Sequence, residues 1–331
     1  MDIRRYEFVL EAKTALAHHE EVIGNAAVHM RRKMRMRDGS FARIPILTAD
    51  TMRHGLREAA AYATLDAAGM LGDGVAALSE GAMRLLFTGG MVTGRGDASA
   101  VKLDEFRVMC ELVPPLGLLG GCADNRVIPG RVQVDDAILI CDETTHLIPE
   151  WATAWVSERG AIDTHRAHVE EVQRVRMDPM LDPGKRRLLT DGAQVTANTK
   201  LLASESASAT GDAIEKDANK STMMPRRFET VVAGSLFFWA VQATTHSELD
   251  VDTFDTMCAT FLAQARVGGK RGTGHGHIAP LVANQIAVLR PADAHTGVDF
   301  GALAKGKGVL FREHVASRKD RVREFLQGVN A

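Results

Sequence analysis

The stretch that most limits the fold is RRFETVVAGSLFFWAVQATT, residues 226–245. It is dense in Phe, Val and Trp. Around 236–241 apolar residues would fall on both faces of an extended chain, which predicts a central strand buried on both sides. A helix follows, capped by Asp250 or Asp252, with Phe254, Met257, Cys258, Phe261, Leu262 and Ala265 at i, i+3, i+4, i+7, i+8 and i+11. Gly268 and Gly269 offer it a C-cap. Then come the loop RVGGKRGTGHGH (266–277) and a last strand in HIAPLVANQIAVL.

The front half repeats the theme. Residues 3–13 alternate, with Tyr6, Phe8, Leu10 and Ala12 on one side and Arg5, Glu7, Glu11 and Lys13 on the other, which predicts a half-buried strand. After a basic segment and FARIPIL, a helix starts at Thr48 or Asp50, carries an apolar face of Met52, Leu56, Ala59, Ala60 and Ala63, and ends at Gly69. Residues 70–130 are glycine-rich and read as loops and short helices. VQVDDAILICDE (132–143) reads as a strand. The order is strand, helix, strand, strand, helix, strand, an α+β ferredoxin-like or RNA-recognition pattern. From 150 to 225 the character changes. LLASESASATGDAIEKDANKSTMMP is small, polar and without aromatics, as suits a projecting arm better than a core. No internal repeat is present.

The 331 residues are 45% apolar and 25% charged, an ordinary globular mix. The net charge of −2 hides a local imbalance: Gly24–Arg57 holds eight cations and two acids, hence +6, leaving −8 for the remainder. Cys110, Cys122, Cys141 and Cys258 form no C-x-x-C pair, so neither a zinc ribbon nor a disulfide framework is expected, and a reducing cytoplasm is. MDIRRYEFVLEAK lacks the apolar core of a signal peptide. The greasiest run, 231–241, is too short to cross a bilayer, so a membrane partner is not expected.

Glycine lets backbone N–H groups approach an anion closely. The loop combines Gly268, Gly269, Gly272 and Gly274 with Lys270, Arg271 and His275. A Walker loop needs Ser or Thr after Gly-Lys at a strand-to-helix turn, and here Arg271 follows in a helix-to-strand turn. The dinucleotide fingerprint fails for the same reason, which leaves a row of nucleic-acid phosphates. RRKMRMR supplies Arg31, Arg32, Lys33, Arg35 and Arg37, interleaved with Met34 and Met36. Arg53 and Arg57 stand i, i+4 near the first helix's start, where amides and dipole favour anions. Taken singly, these are a flexible turn, a solvated charge run and surface ion pairs; three separate basic elements favour phosphate binding. No cofactor, metal or catalytic residue is assigned. His275 and His277 permit an endoribonuclease alternative by acid–base chemistry. Asp135-Asp136 and Asp142-Glu143 would serve a metal in a phosphate-handling enzyme, but read more simply as strand-end carboxylates. Trp151 and Trp155, i, i+4, read as packing rather than base stacking, and RGD at 95–97 as chance.

RYEFVLEAKTAL, ARIPILTADTMRHGLREAA, PLGLLGGCADNRVIPGRVQVDDAIL, FETVVAGSLFFWAV and VGGKRGTGHGHI together resemble, in matching order, the backbone subunits of CRISPR RNA-guided effector complexes. These are members of the RAMP superfamily, and the type IV backbone protein is the most similar. The second segment is similar to that family's I-P-G-S-S-L-[KR]-G-x-[IL]-R stretch. The resemblance implies a palm with finger insertions (1–149), a thumb (150–225) and a second palm half (226–331). It implies copies stacked in a filament along CRISPR guide RNA, beside other effector subunits, presenting bases to a complementary target, DNA in preference to RNA. Each thumb would kink the guide. At Thr48-Ala49-Asp50-Thr51 the family's Gly-Ser-Ser is missing, which removes any phosphate contact from those serines. Type III subunits cut target RNA with an aspartate between first strand and first helix. Gly24–Arg37 contains no acid and Asp38 comes late, so no target cleavage is expected.

Overall fold

Tyr6, Phe8, Leu10 and Ala12 are fully buried, and so is Val9 between them. The alternation of the first strand therefore does not leave a wet face, because the strand is central. In a computed structural model describing residues 2–23, 26–72, 78–90, 103–123, 126–174, 226–287, 295–297 and 308–329, the main sheet contains β1 (Asp2–Ala12), β2 (Arg31–Arg35), β3 (Phe41–Leu47), β4 (Val132–Val134), β5 (Ala137–Leu139), β6 (Leu236–Thr245), β7 (Ile278–Ala287) and β8 (His295–Gly297). Their order is β8-β7-β1-β6-β5-β3-β2, with β4 also on β6. β1 runs antiparallel to β6, Phe8 facing Trp239, and to β7, Phe8 facing Ala283. The four core strands β7-β1-β6-β5 thus lie fourth, first, third, second, the ferredoxin-like α+β arrangement.

The helices are α1 (Ala49–Ala67), α2 (Glu80–Thr88), α3 (Leu103–Leu112), α4 (Pro114–Leu119), α5 (Glu150–Ser157), α6 (Glu248–Ala263), α7 (Val309–Ser317) and α8 (Lys319–Gly328). α1 and α6 cover one sheet face, with Met52, Leu56, Phe254 and Phe261 packed on Tyr6, Phe8 and Trp239. Each such burial contributes about 1.5–3 kcal/mol. The helices approach so closely that a Cβ on Gly55 would stand 2.3 Å from the Phe261 ring. α5 closes the other face, where Ile148, Ala152 and Val156 meet Val9, Ile140, Phe238 and Ala240. Within the helical layer, Asp255 is fully buried, accepts from Tyr6 Oη at 2.6 Å and forms an ion pair with Arg4, whose Nε stands 3.0 Å away, tying α6 to β1. Burial and that carboxylate push the Tyr6 hydroxyl far above its ordinary range.

Several local expectations are corrected. Residues 226–245 form two strands, Arg226–Val231 and β6, because Gly234 turns the chain at φ 88°. Residues 132–143 break into β4, β5 and a 3₁₀ turn at Asp142–Thr144. The cap of α6 is Ser247, whose hydroxyl accepts from Asp250 N at 3.1 Å. Asp250 instead takes both guanidinium nitrogens of Arg131, at 2.6 and 2.9 Å, and Asp252 accepts from Gly308 N and Phe311 N at the start of α7. α6 ends at Ala263, so Gly268 and Gly269 belong to the loop and not to the helix cap. Thr48 caps α1.

The chain separates into two compact units, the larger Met1–His19, His29–Glu170 and Thr230–Ala331, the smaller Glu20–Val28 and Glu171–Glu229. The smaller contains a parallel pairing of Arg227 with Ala26 and Phe228 with Ala27. Residues 175–225 of the expected thumb, and the RGD at 95–97, lie outside the described residues. All four cysteines are free. Among the described residues no helix is long and apolar enough to cross a membrane.

Candidate nucleic-acid interface

The sheet face on which an RNA-recognition fold stacks bases is filled here by α5. Trp151 lies edge-on to Phe238, 6.2 Å between centroids, and donates from Nε1 to Glu7 Oε2 at 2.9 Å. Trp155 sits under Arg159. Both tryptophans are engaged in packing, as their spacing suggested.

The basic elements gather instead around residues 13–18, just beyond β1. The glycine loop closes on itself, Val267 N donating to Gly276 O at 2.8 Å, and fastens to this segment. Gly269 N donates to Ala17 O at 2.6 Å, Gly276 N to Ala15 O at 3.0 Å, and Lys13 N to His277 O at 2.8 Å. Close approach explains two of the glycines: a Cβ on Gly268 would stand 2.7 Å from Ala17 O, and one on Gly276 2.2 Å from Val267 O. Gly272 and Gly274 have open space where a side chain would be, so the turn Arg271–Thr273 presents bare backbone. Lys270 holds a left-handed conformation at φ 57° at the head of that turn and is exposed.

The next residue after Ala17, His18, joins the other two elements. Its carbonyl accepts from Met30 N at 2.6 Å, immediately before β2, and its Nε2 accepts from Thr48 N at 3.4 Å, at the cap of α1. An accepting Nε2 is an unprotonated one, and burial lowers the pKa of His18 accordingly. His29 packs edge-on to it, fully buried, and burial drives its pKa down to about 3. Neither histidine advertised this in the sequence beyond its position after β1.

β2 is an edge strand, paired with β3 from Arg31–Pro45 to Arg35–Phe41. Arg31, Lys33 and Arg35 share one face at intervals of about 7 Å. Arg32, on the other, pairs with Asp136 Oδ2 at 3.0 Å, and Met34 packs on the core. Lys33 Nζ lies 4.5 Å from the ring of Phe41, which is 60% exposed. Arg35 and Arg37 are exposed, with no carboxylate in ion-pair distance among the described residues. Phe41 was not singled out from the sequence, although its place among basic residues was a cue. Asp136 also accepts from Ala49 N at 2.7 Å, anchoring α1. Among the described residues no cluster of His, Cys, Asp and Glu could hold a metal.

Three expected contacts turn inward. Arg57 is 8% exposed and donates to Gly120 O at 2.9 Å and Leu119 O at 3.3 Å. Arg53 donates to Val132 O at 2.9 Å and also to Leu119 O. Their charge sits at the C-terminal end of α4, where cations offset the helix dipole. Burial, and then Arg53, lower the Arg57 pKa to about 10. His275 is also buried, its Nδ1 facing Ala15 O at 3.2 Å. Arg271 spans from Gly268 O to Glu58 Oε2 of α1, 3.2 Å away.

The fold is similar to that of a chain from a solved structure titled "Type IV-B CRISPR Complex". The superposition has a TM-score of 0.52 at 18% identity and covers 89% of this chain and 95% of that one. The likeness therefore extends well past the ferredoxin-like core. No family model and no curated protein matches the sequence.

Proposed function

We propose that the chain is a backbone subunit of a CRISPR RNA-guided effector complex, and that it binds guide RNA. One observation carries the RNA reading: neighbouring residues Ala17 and His18 hold the glycine loop and the basic strand β2, so both lie at one end of one segment. The surface offered is Lys33, Arg35 and Arg37 with Lys270 and the uncrowded backbone at Gly272 and Gly274. These are suited to a phosphodiester strand, since backbone contacts position without reading sequence. Arg31, Arg32 and Arg271 border it. Arg53, Arg57 and His275 contribute by holding α1, α4 and the loop in place. The likeness in fold to a chain of a Type IV-B complex supports the subunit assignment. Stacking of copies along the guide, partnership with other effector subunits, a complementary target that is DNA before RNA, and the absence of target cleavage belong to the same proposal.

The test is purification of the chain after co-expression with a CRISPR array. The expected product is a multimer with a nucleic-acid absorbance ratio and a ladder of protected guide. A nucleic-acid-free monomer that ignores added guide RNA at low salt would end the reading. Incubation of the loaded complex with matched RNA and magnesium should leave the target whole; regularly spaced fragments would overturn the no-cleavage part.

A further inference from the structure

Between α1 and α6 runs an open groove of about 520 Å³, within the size range of ligand sites. Its floor is made of small residues, including Gly55, Ala59, Ala259 and Ala263. Arg266, Arg271 and Arg312 line it together with a single carboxylate, Glu58, and Tyr62, which is 48% exposed. Arg271 is committed to Glu58. Arg266 and Arg312 are exposed, and among the described residues no carboxylate stands in ion-pair distance of either. α7 extends the apolar surface: Val309, 54% exposed, precedes Arg312 by three residues and so shares its face.

We infer that this groove docks an acidic amphipathic helix of a protein partner. The residues of α1 and α6 that wall the groove lie within helices, so their amides are already used internally and cannot cradle phosphates. The floor is Cβ-deep and apolar, which rewards a row of inserted apolar side chains in the manner of a helix laid in a groove. The two uncommitted guanidinium groups supply bidentate partners for carboxylates on the rim of such a helix. A nucleic-acid strand would satisfy the arginines but leave the alanine floor uncovered and bring phosphates against Glu58. The inference does not depend on RNA binding elsewhere on the chain.

The experiment places the photo-crosslinker p-benzoylphenylalanine at Tyr62 in the full chain, expressed in the cells it comes from. A second chain carries it at Met83, half exposed on α2, as an off-groove control. Cross-linked peptides are sequenced by mass spectrometry. The expected result is one protein segment with Asp or Glu alternating with apolar residues at helical spacing. It should be absent from the Met83 chain and reduced at least tenfold by Arg266→Glu with Arg312→Glu, while the melting temperature and the RNA content are unchanged. Cross-linking to RNA, to a segment without acidic residues, or to nothing would overturn the inference. Loss of RNA content in the double variant would overturn it too, by placing RNA in the groove. Absence of RNA from the unaltered chain would instead count against the proposed function alone.

Discussion

Trp151 Nε1 donates to Glu7 Oε2 at 2.9 Å, and Arg5 Nε reaches the other oxygen of the same carboxylate at 3.0 Å. Glu7 is 4% exposed, so an acid on the wet side of a predicted strand has become a buried group that requires both partners. Removing a partner of a buried charge costs more than the bond itself contributes. Trp151→Phe keeps the contact with Phe238 but loses the donor, and should cost about 1–2 kcal/mol. Trp151→Ala loses both and should cost about 3–5 kcal/mol. Urea denaturation gives both values; a Trp151→Phe protein as stable as the parent would show that the hydrogen bond contributes nothing.

Asp255 offers a sharper case on the helical side. Its carboxylate is fully buried between Tyr6 and Arg4. Asp255→Ala leaves Arg4 with its charge uncompensated and should destabilise the fold by about 3–5 kcal/mol. The double change Asp255→Leu with Arg4→Met removes both charges and should recover at least half of that loss. Chemical denaturation of the parent, the single variant and the double variant decides it, and no recovery would mean the pair stabilises by more than mutual neutralisation.

Acid should weaken the junction of the basic elements before it titrates carboxylates. His29 has a folded pKa of about 3, against about 6.5 unfolded. Between those values the unfolded chain binds the extra proton, so stability is complete above about pH 6.5 and falls as pH drops towards the folded value. At pH 5 the loss from this one residue is about 2 kcal/mol. His18, also lowered by burial, adds in the same direction. Thermal melts from pH 7.5 to 5 should show the decline, and His29→Asn should flatten it. A melt that rises on acidification reverses the sign and refutes the assignment.

How much of this was legible follows from periodicity and its limits. The order of elements could be read because Tyr6–Ala12 and Phe254–Ala265 repeat with clean periods. The covering of both sheet faces could not, since nothing in residues 3–13 reports that α5 folds back over them: Glu7 looks like any solvent-facing acid until Trp151 arrives 144 residues later. Charge was legible in amount but not in direction. Arg53 and Arg57 carry the helical spacing of a surface pair, yet α4 ends beside them and its carbonyls take the guanidinium groups. Glycine spacing located the loop correctly, while its anchoring to Ala15 and Ala17 depends on backbone groups that every residue has.

That division of the arginines gives the last prediction. Arg57→Ala should orphan the Gly120 carbonyl, Leu119 O keeping Arg53, and cost about 1–3 kcal/mol, without changing the affinity of the folded protein for guide RNA. Lys33→Ala, Arg35→Ala and Lys270→Ala, exposed as these cations are, should do the reverse: stability within about 0.5 kcal/mol of the parent, and weaker RNA binding. Each lost phosphate contact should lower the slope of log affinity against log salt by roughly 0.7 for a single strand. Fluorescence anisotropy across a series of salt concentrations measures it. A triple variant that keeps the parent's slope would remove β2 and the loop from the RNA path, whereas a slope lost with Arg57→Ala would return that buried guanidinium to it.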